Sequence, residues 1–308
     1  NILNYNLFSE GCKMQREITR ELVRRLLPER MTESNKGSYG SVLAAAGSMA
    51  YRGAAALCTE GALRSGAGLV YLASVEPVIQ LVLSRTPECC ACGCRTAANG
   101  GIHPQDADAL RRWFADRHAV LLAGPGLGES AADVCKALLG RNAPWAGAVL
   151  DADALNALAA GKYKGDLPAN TILTPHPGEA ARLLGLTVPE VQADREGAAV
   201  SLAEKYHCVA VLKGHHTLVA APDGTVWRNE TGNAGLAKGG SGDILAGLTA
   251  GLLAAGLKQG RTPEDAAVCA VWLHGAAADR CAKRRSMTAM LPGDLFEDLG
   301  WILGELGR

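Results

Sequence analysis

The sequence predicts an α/β protein, a three-layer αβα arrangement around one central, mostly parallel sheet. Three observations carry this. Short apolar runs recur along the 308 residues, longer helical patterns separate them, and the runs are continuous rather than alternating. Continuous apolar strands are what a sheet covered on both faces requires.

In order, strands are expected at 42–46, 69–73, 119–123, 148–151, 171–173 and 208–212. Between them, helical patterns cover 53–65, 107–116, 130–139, 177–184 and 188–206. This β-α-β-α order places helices on both faces of a parallel sheet. The stretch 217–229 is an exception: Asp223-Gly224 is a two-residue turn signal between 218–221 and 226–228, which predicts an antiparallel hairpin. Long helices then follow at 242–255 and 263–283. No Pro/Ser-rich linker, low-complexity tract or fixed repeat interrupts the chain, so 14–308 is expected to be a single domain. Residues 1–13 are expected to be an N-terminal extension or a remnant foreign to the domain, with Met14 as an alternative start.

Charge and composition exclude several classes. Lys+Arg and Asp+Glu balance at 31 each, so no basic excess points to nucleic acid or an anionic membrane. No apolar run reaches the roughly 18 residues of a membrane span. The first eleven residues lack the basic and apolar regions of a secretory signal. A cytoplasmic location is the expectation. Cys89, Cys90, Cys92 and Cys94 lack the paired spacing of a zinc site and read as a surface stretch of free thiols. Cys58, Cys135, Cys208, Cys269 and Cys281 read as small core residues.

The sharpest chemical signal is Lys238-Gly239-Gly240-Ser241-Gly242-Asp243, immediately before an apolar helix. The first amides of a helix lack internal partners and point outward with the positive end of the dipole, which suits a phosphate. Glycine removes the Cβ that would hold an anion off, and Lys238 is available to add charge. A carboxylate beside a phosphate repels it, so Asp243 needs another reason to be there. It can hold Mg²⁺, or accept a proton from an attacking hydroxyl; capping the helix is the structural alternative. The chain has no Walker-A run, and Gly124-Pro125-Gly126-Leu127-Gly128 has the wrong spacing for a dinucleotide fingerprint. Ser241 is a poor nucleophile candidate, because Asp243 stands where a G-x-S-x-G elbow has glycine.

Other loops follow strands and should gather on the same sheet edge. Lys213-Gly214-His215-His216-Thr217 is a candidate nucleotide loop or a plain turn into the hairpin. His176 lies between Pro175 and Pro177 in a stiffened turn, and Glu179 falls in the following helical turn, where it can orient Mg²⁺ or water or simply favour the helix. The glycines at 124, 126 and 128 let backbone approach a ligand. Asp151-Ala152-Asp153-Ala154-Leu155-Asn156 offers metal-linked carboxylates or a helix cap, and Gly53-Ala54 can only shape a pocket.

Taken together, KGSYGSVLAAAGSMAYRGAAAL, ALRSGAGLVYLAS, AGPGLG, LDADALNAL, LTPHPGEAARLLG, the run from VLKGHHT to NAGLAKGGSGDILAG, and AVWLHGAAAD resemble the ADP/ATP-dependent NAD(P)H-hydrate dehydratase family of the ribokinase-like superfamily. The resemblance spans roughly residues 35–280. It departs at Asn35, where the family usually has His before Lys-Gly. The epimerase domain that often precedes this one is not in the sequence, so dehydratase activity alone is expected. The resemblance implies a ribokinase-like fold and substrates NADHX or NADPHX, with ADP or ATP as phosphoryl donor alongside Mg²⁺. It implies that Ala54, Gly126, His176 and Asp243 contact the hydrated dinucleotide, and that Lys213, Gly214, His215, His216, Thr217, Gly240 and Gly242 contact the nucleotide. Glu179, Gly128, Asn156, Lys238 and Gly239 are secondary candidates. The resemblance also suggests a homo-oligomer, a tetramer in particular. Two other readings share these residues: a small-molecule kinase of hydroxyethylthiazole or pyrimidine-alcohol type, and a non-catalytic nucleotide sensor.

Overall fold

The computed structural model describes residues 16–163 and 167–308; the segment 1–13 and Met14 lie outside the described residues. The chain runs β1 (Arg16–Glu17), α1 (Arg20–Leu26), β2 (Ser41–Ala45), α2 (Arg52–Arg64), β3 (Leu69–Val75), α3 (Glu76–Arg85), β4 (Cys90–Cys94), α4 (Pro104–Trp113), β5 (Val120–Ala123), α5 (Ala131–Leu138), β6 (Gly147–Leu150) and α6 (Asp153–Ala159). It continues through β7 (Thr171–Leu173), α7 (Pro177–Leu184), α8 (Val188–Ala193), α9 (Arg195–Tyr206), β8 (Val209–Leu212), β9 (Leu218–Ala220), β10 (Val226–Arg228), α10 (Ser241–Leu257), α11 (Pro263–Arg285) and α12 (Leu295–Glu305).

The strands form a 10-stranded sheet in the order β1-β10-β9-β8-β7-β6-β5-β2-β3-β4, parallel except where β9 runs against β8 and β10. β2 is flanked by β3 and β5, so the chain leaves the middle of the sheet in opposite directions. That reversal creates a crevice at the carboxyl ends of β2 and β5.

Each apolar strand serves two cores. Val42 and Ala44 face one core with Val120, Leu122, Val149 and Val211; Leu43 and Ala45 face the other with Leu121, Ala123, Leu150 and Leu212. The period-2 geometry is intact, but both faces are buried, which is why no polar alternation shows in the sequence. Helices α1, α2, α3, α10, α11 and α12 supply the first core, and α4 to α9 supply the second. Among the described residues, no helix is long and apolar enough to cross a membrane.

α10 is buried almost all round and packs on α2 nearly backbone to backbone. A Cβ at Gly247 would come within 2.2 Å of the Cys58 carbonyl, and one at Gly251 within 2.3 Å of the Ala62 carbonyl. Any larger residue there must push the helices apart.

Several expectations need correction. The helix expected over 188–206 is two helices: Asp194, at φ −140° and ψ 79°, breaks the chain and caps α9 by accepting from Gly197 N–H. The hairpin turn holds three residues rather than two, because Ala221 N–H bonds to the Thr225 carbonyl and Gly224 sits at φ 80°. The cysteine stretch has free thiols as expected, but it is regular structure and Cys89 is buried. Cys90–Cys94 forms the edge strand β4 on β3, with Cys90, Cys92 and Cys94 half-buried, and all described cysteines are free. Cys58, Cys135, Cys208, Cys269 and Cys281 are buried, as expected.

Candidate active site

A cavity of about 790 Å³ opens at the carboxyl ends of β6, β7 and β8 beside the start of α10. Asp151, His176, Glu179, Lys213, Gly214, His215, His216 and Thr217 line it from the strand ends, and Lys238, Gly239, Gly240, Gly242 and Asp243 line it from the helix start.

The start of α10 is uncapped. Gly240 is the N-cap, at φ 99°, and no side chain accepts from the first turn. The amides of Gly242 and Asp243 find no acceptor among the described residues. Glycine is needed at 240 twice over: the left-handed conformation favours it, and a Cβ would come within 2.5 Å of Leu57 Cδ1. Outward amides at the positive end of a 17-residue helix form an anion cradle.

Asp243 is the third residue of α10 and faces the cavity. Among the described residues its carboxylate makes no hydrogen bond or ion pair. Burial, then the nearby Asp151 charge, push its pKa up to about 6, and Lys213 only partly opposes them. It is therefore charged near neutrality yet basic enough to take a proton.

Lys213 Nζ lies 2.6 Å from Asp151 Oδ1 and 3.9 Å from Glu179 Oε2. Asp151 is 2% exposed, so this is an ion pair on the cavity floor. Burial pulls the Lys213 ammonium down, but Asp151 and Glu179 outweigh it and the net shift is upward. The side chain reaches beneath Gly242, where a Cβ would stand 3.4 Å from Nζ. The loop after β8 is fixed from behind by Arg195, which donates to the carbonyls of His215, Leu212 and Lys213. Thr217 Oγ1 donates to the Gly214 carbonyl at 3.0 Å, and His216 Nδ1 lies 2.8 Å from Glu230.

His176 and Glu179 form a capping box on α7. His176 Nδ1 accepts from Gly178 N–H at 3.0 Å, and Glu179 Oε2 accepts from His176 N–H at 2.8 Å. Burial, then Lys213, lowers the imidazole's pKa, so it is neutral at pH 7. Burial raises the Glu179 carboxyl against the pull of Lys213.

The remaining candidates lie apart from this cavity or are differently engaged. Ala54 and Gly126 meet at the β2/β5 crevice, where a Gly126 Cβ would stand 3.0 Å from Ala54 Cβ and 2.7 Å from the Tyr51 carbonyl. Gly128 N–H donates to Asp153 Oδ2 at 2.8 Å. Asn156, on α6, accepts from Arg182 at 2.9 Å and does not line the cavity. Lys238 Nζ donates to the carbonyls of Thr288 and Met290 at 2.6 and 2.5 Å, so its charge holds that loop rather than standing free. The five loops nevertheless gather on one edge: a Cβ on Gly124 would overlap the Asp151 carbonyl at 1.8 Å, and Lys213 N–H donates to the Pro175 carbonyl.

Sequence reasoning missed three features. The Asp151–Lys213 pair joins residues 62 apart. Buried His274 on α11 sets Nε2 3.3 Å from Ser241 Oγ, and burial lowers its pKa to about 4, which keeps it neutral. Asp279 accepts from Gly232 N–H and from Asn233 Nδ2, which anchors the loop that walls the cavity. Only the His-Gly pair at 274–275 inside an apolar helix hinted at any of these.

An αβα sandwich with an uncapped helix start and a free carboxylate at its carboxyl edge has the ribokinase-like fold. A ribokinase-like superfamily protein from Enterococcus faecalis aligns over 98% of this chain and 99% of its own, with TM-score 0.80 and 27% identity. Within that class, the chain belongs to the NAD(P)H-hydrate dehydratase family, whose profile matches residues 42–300. It is similar to the ADP-dependent (S)-NAD(P)H-hydrate dehydratase of Bacillus subtilis, with 38% identity over 91% of this chain and 95% of the relative. A crystal structure of the ADP/ATP-dependent enzyme from that organism, grown with ATP and Mg²⁺, matches 97% of this chain and 100% of its own with TM-score 0.80 and 35% identity. The bifunctional NAD(P)H-hydrate repair enzyme of Moorella thermoacetica is 42% identical over 95% of this chain. The chain spans 54% of that relative's length, about half.

Proposed function

We propose that this chain is an ADP-dependent (S)-NAD(P)H-hydrate dehydratase, a hydro-lyase that restores NADH or NADPH from the hydrated ring and releases AMP and phosphate. One observation carries the reading: the unpartnered, elevated-pKa carboxylate of Asp243 beside the uncapped amides of α10. Hydroxide is a poor leaving group near neutral pH, and phosphate is a good one. Asp243 takes the proton of the ring hydroxyl as that oxygen bonds to the terminal phosphorus and the bond to the leaving nucleotide oxygen breaks. The Gly242 and Asp243 amides bind the phosphoryl oxygens, where charge spreads during transfer. The ring nitrogen's lone pair then expels phosphate to leave an iminium, and loss of a proton from the adjacent ring carbon, to the departing phosphate or water, restores the ring double bond.

The side chains suit a Mg²⁺ ion that arrives on the nucleotide's phosphates, since such an ion needs only one or two protein carboxylates. Glu179 and Asp243 both open on the cavity. Bound there, Mg²⁺ would offset the charge on the phosphoryl oxygens. Among the described residues, no cluster of three or more acidic, His or Cys side chains forms a ready-made metal site.

The test is to incubate the protein with hydrated NADH, Mg²⁺ and either ADP or ATP. Return of the reduced-nicotinamide absorbance with one phosphate released per turnover is the expected outcome. A phosphorylated product that persists would instead favour a small-molecule kinase of the same fold.

A further inference from the structure

Arg195 poses a problem of charge. It is the first residue of α9, where the helix dipole is positive and a cation is disfavoured. It is half-buried, and burial lowers its pKa with no carboxylate among the described residues to oppose it. Its Nε is buried without a hydrogen-bond partner. The neighbouring Asp194 carboxylate is engaged by Gly197 N–H, as the cap of α9. A half-buried cation so placed needs another reason to be there.

What Arg195 touches is backbone: its Nη groups donate to the carbonyls of Leu212, Lys213 and His215. A trans peptide is planar, with its C=O and N–H on opposite sides. Each carbonyl turned toward Arg195 therefore turns the next residue's N–H away from it. After Leu212 that group is Lys213 N–H, which donates to the Pro175 carbonyl at 2.8 Å. After Lys213 and His215 the groups are Gly214 N–H and His216 N–H, which find no acceptor among the described residues. Gly214 and His216 line the cavity, whereas Arg195 stands outside it. Both take positive φ, 145° and 52°, and a Cβ at 214 would come within 2.9 Å of Arg195 Nη2. The guanidinium is thus fitted closely under an unusual loop conformation that leaves two amides open on the cavity side. That loop begins at Lys213, whose Nζ reaches beneath Gly242, so the two amides lie within a lysine side chain's length of the α10 cradle.

We infer that Arg195 is the positioning residue of the nucleotide loop: it holds the backbone so that the Gly214 and His216 amides receive the phosphate that stays with AMP. The α10 amides then receive the phosphoryl group in transfer. Arg195 acts without touching the nucleotide. A donor on the carbonyl of a peptide also polarises the N–H at its other end, which strengthens that amide's bond to an anion. This rests on the dehydratase reading and adds to it a residue outside the cavity.

The test titrates ADP, AMP and adenosine calorimetrically into the full chain with Mg²⁺, and follows turnover of hydrated NADH. Arg195→Ala removes a cation from the disfavoured end of α9 and places a good helix former there, so the helix itself should not weaken. ADP and AMP should each bind about tenfold or more weakly, the loss of at least one hydrogen bond to a charged group. Adenosine, which has no phosphate, should change by less than about twofold on the same ground. The KM for ADP should rise with the Kd while kcat stays within about threefold, because Asp243 and the α10 amides are untouched. Millimolar guanidinium should restore part of the ADP affinity of Arg195→Ala and leave the wild type as it was. Arg195→Lys keeps the charge but loses the planar fork that spans three carbonyls, and its ADP affinity should fall between the two. Wild-type ADP affinity in both variants, a loss for adenosine as large as for AMP, or a fall in kcat with KM unchanged would each overturn the inference. Variants that bind ADP normally and still convert the hydrate would remove the role of Arg195 and keep the dehydratase reading. The expected binding pattern without conversion of the hydrate by the wild type would do the reverse.

Discussion

The starts of α7 and α11 differ from those of α10 and α2. At α7, His176 and Glu179 satisfy the first amides reciprocally, and at α11 Thr262 and Asp265 do the same. At α10 and α2 the N-caps are Gly240 and Tyr51, and no side chain reaches back. Orphan amides are either closed off within the fold or kept for something outside it. The capped starts hold helices in place. α3, α5, α6 and α12 also begin without a side-chain cap, but the starts of α10 and α2 are open at the carboxyl edge of the sheet, one at the cavity and one at the crevice.

The strongest way to break this contrast is at Asp243. Asp243→Asn should lower turnover by ~10²–10⁴-fold and leave ADP binding nearly intact, because the amides remain and only the base is lost. Near-normal turnover would make α10 just another helix start.

Lys213→Met comes next. It strands Asp151 as a buried, unpaired charge, and breaking such a pair costs about 3 kcal/mol or more. Urea denaturation should register that loss. An unchanged midpoint would show that the floor of the open site needs no ion pair.

Acid should act on the open site specifically. The Asp243 carboxyl titrates at about 6, above its usual range, so the base form is lost as pH falls through that value. The logarithm of kcat/KM should fall by about one per pH unit below 6, and flatten above it. In Asp151→Asn the limb should move to lower pH, since the Asp151 charge helps hold Asp243 up. A limb that stays in place would assign the titration to another group.

The smallest effect belongs to the capped class. Thr262→Ala should destabilise the fold by about 1 kcal/mol and leave kcat unchanged, as the loss of a cap far from chemistry predicts. A change in kcat would blur the division between the two kinds of helix start.

Much of the fold was legible because burial on both faces makes strands such as 119–123 and 208–212 continuous apolar runs. β4 was hidden because Cys and Gly carry little strand preference, and the edge position demands no long apolar run. α3 follows β3 with no intervening residue, so no turn signal marks it. At the site, Asp243 was legible because an acidic residue in a glycine-rich helix start asks for a reason. The Asp151–Lys213 pair was not, since its two members stand 62 residues apart.

The glycine contacts between α2 and α10 have a further consequence. Gly61, Gly247 and Gly251 let the two backbones touch, so neither helix can slide or tilt without a clash. Their heads are thereby locked like the jaws of a fixed gauge.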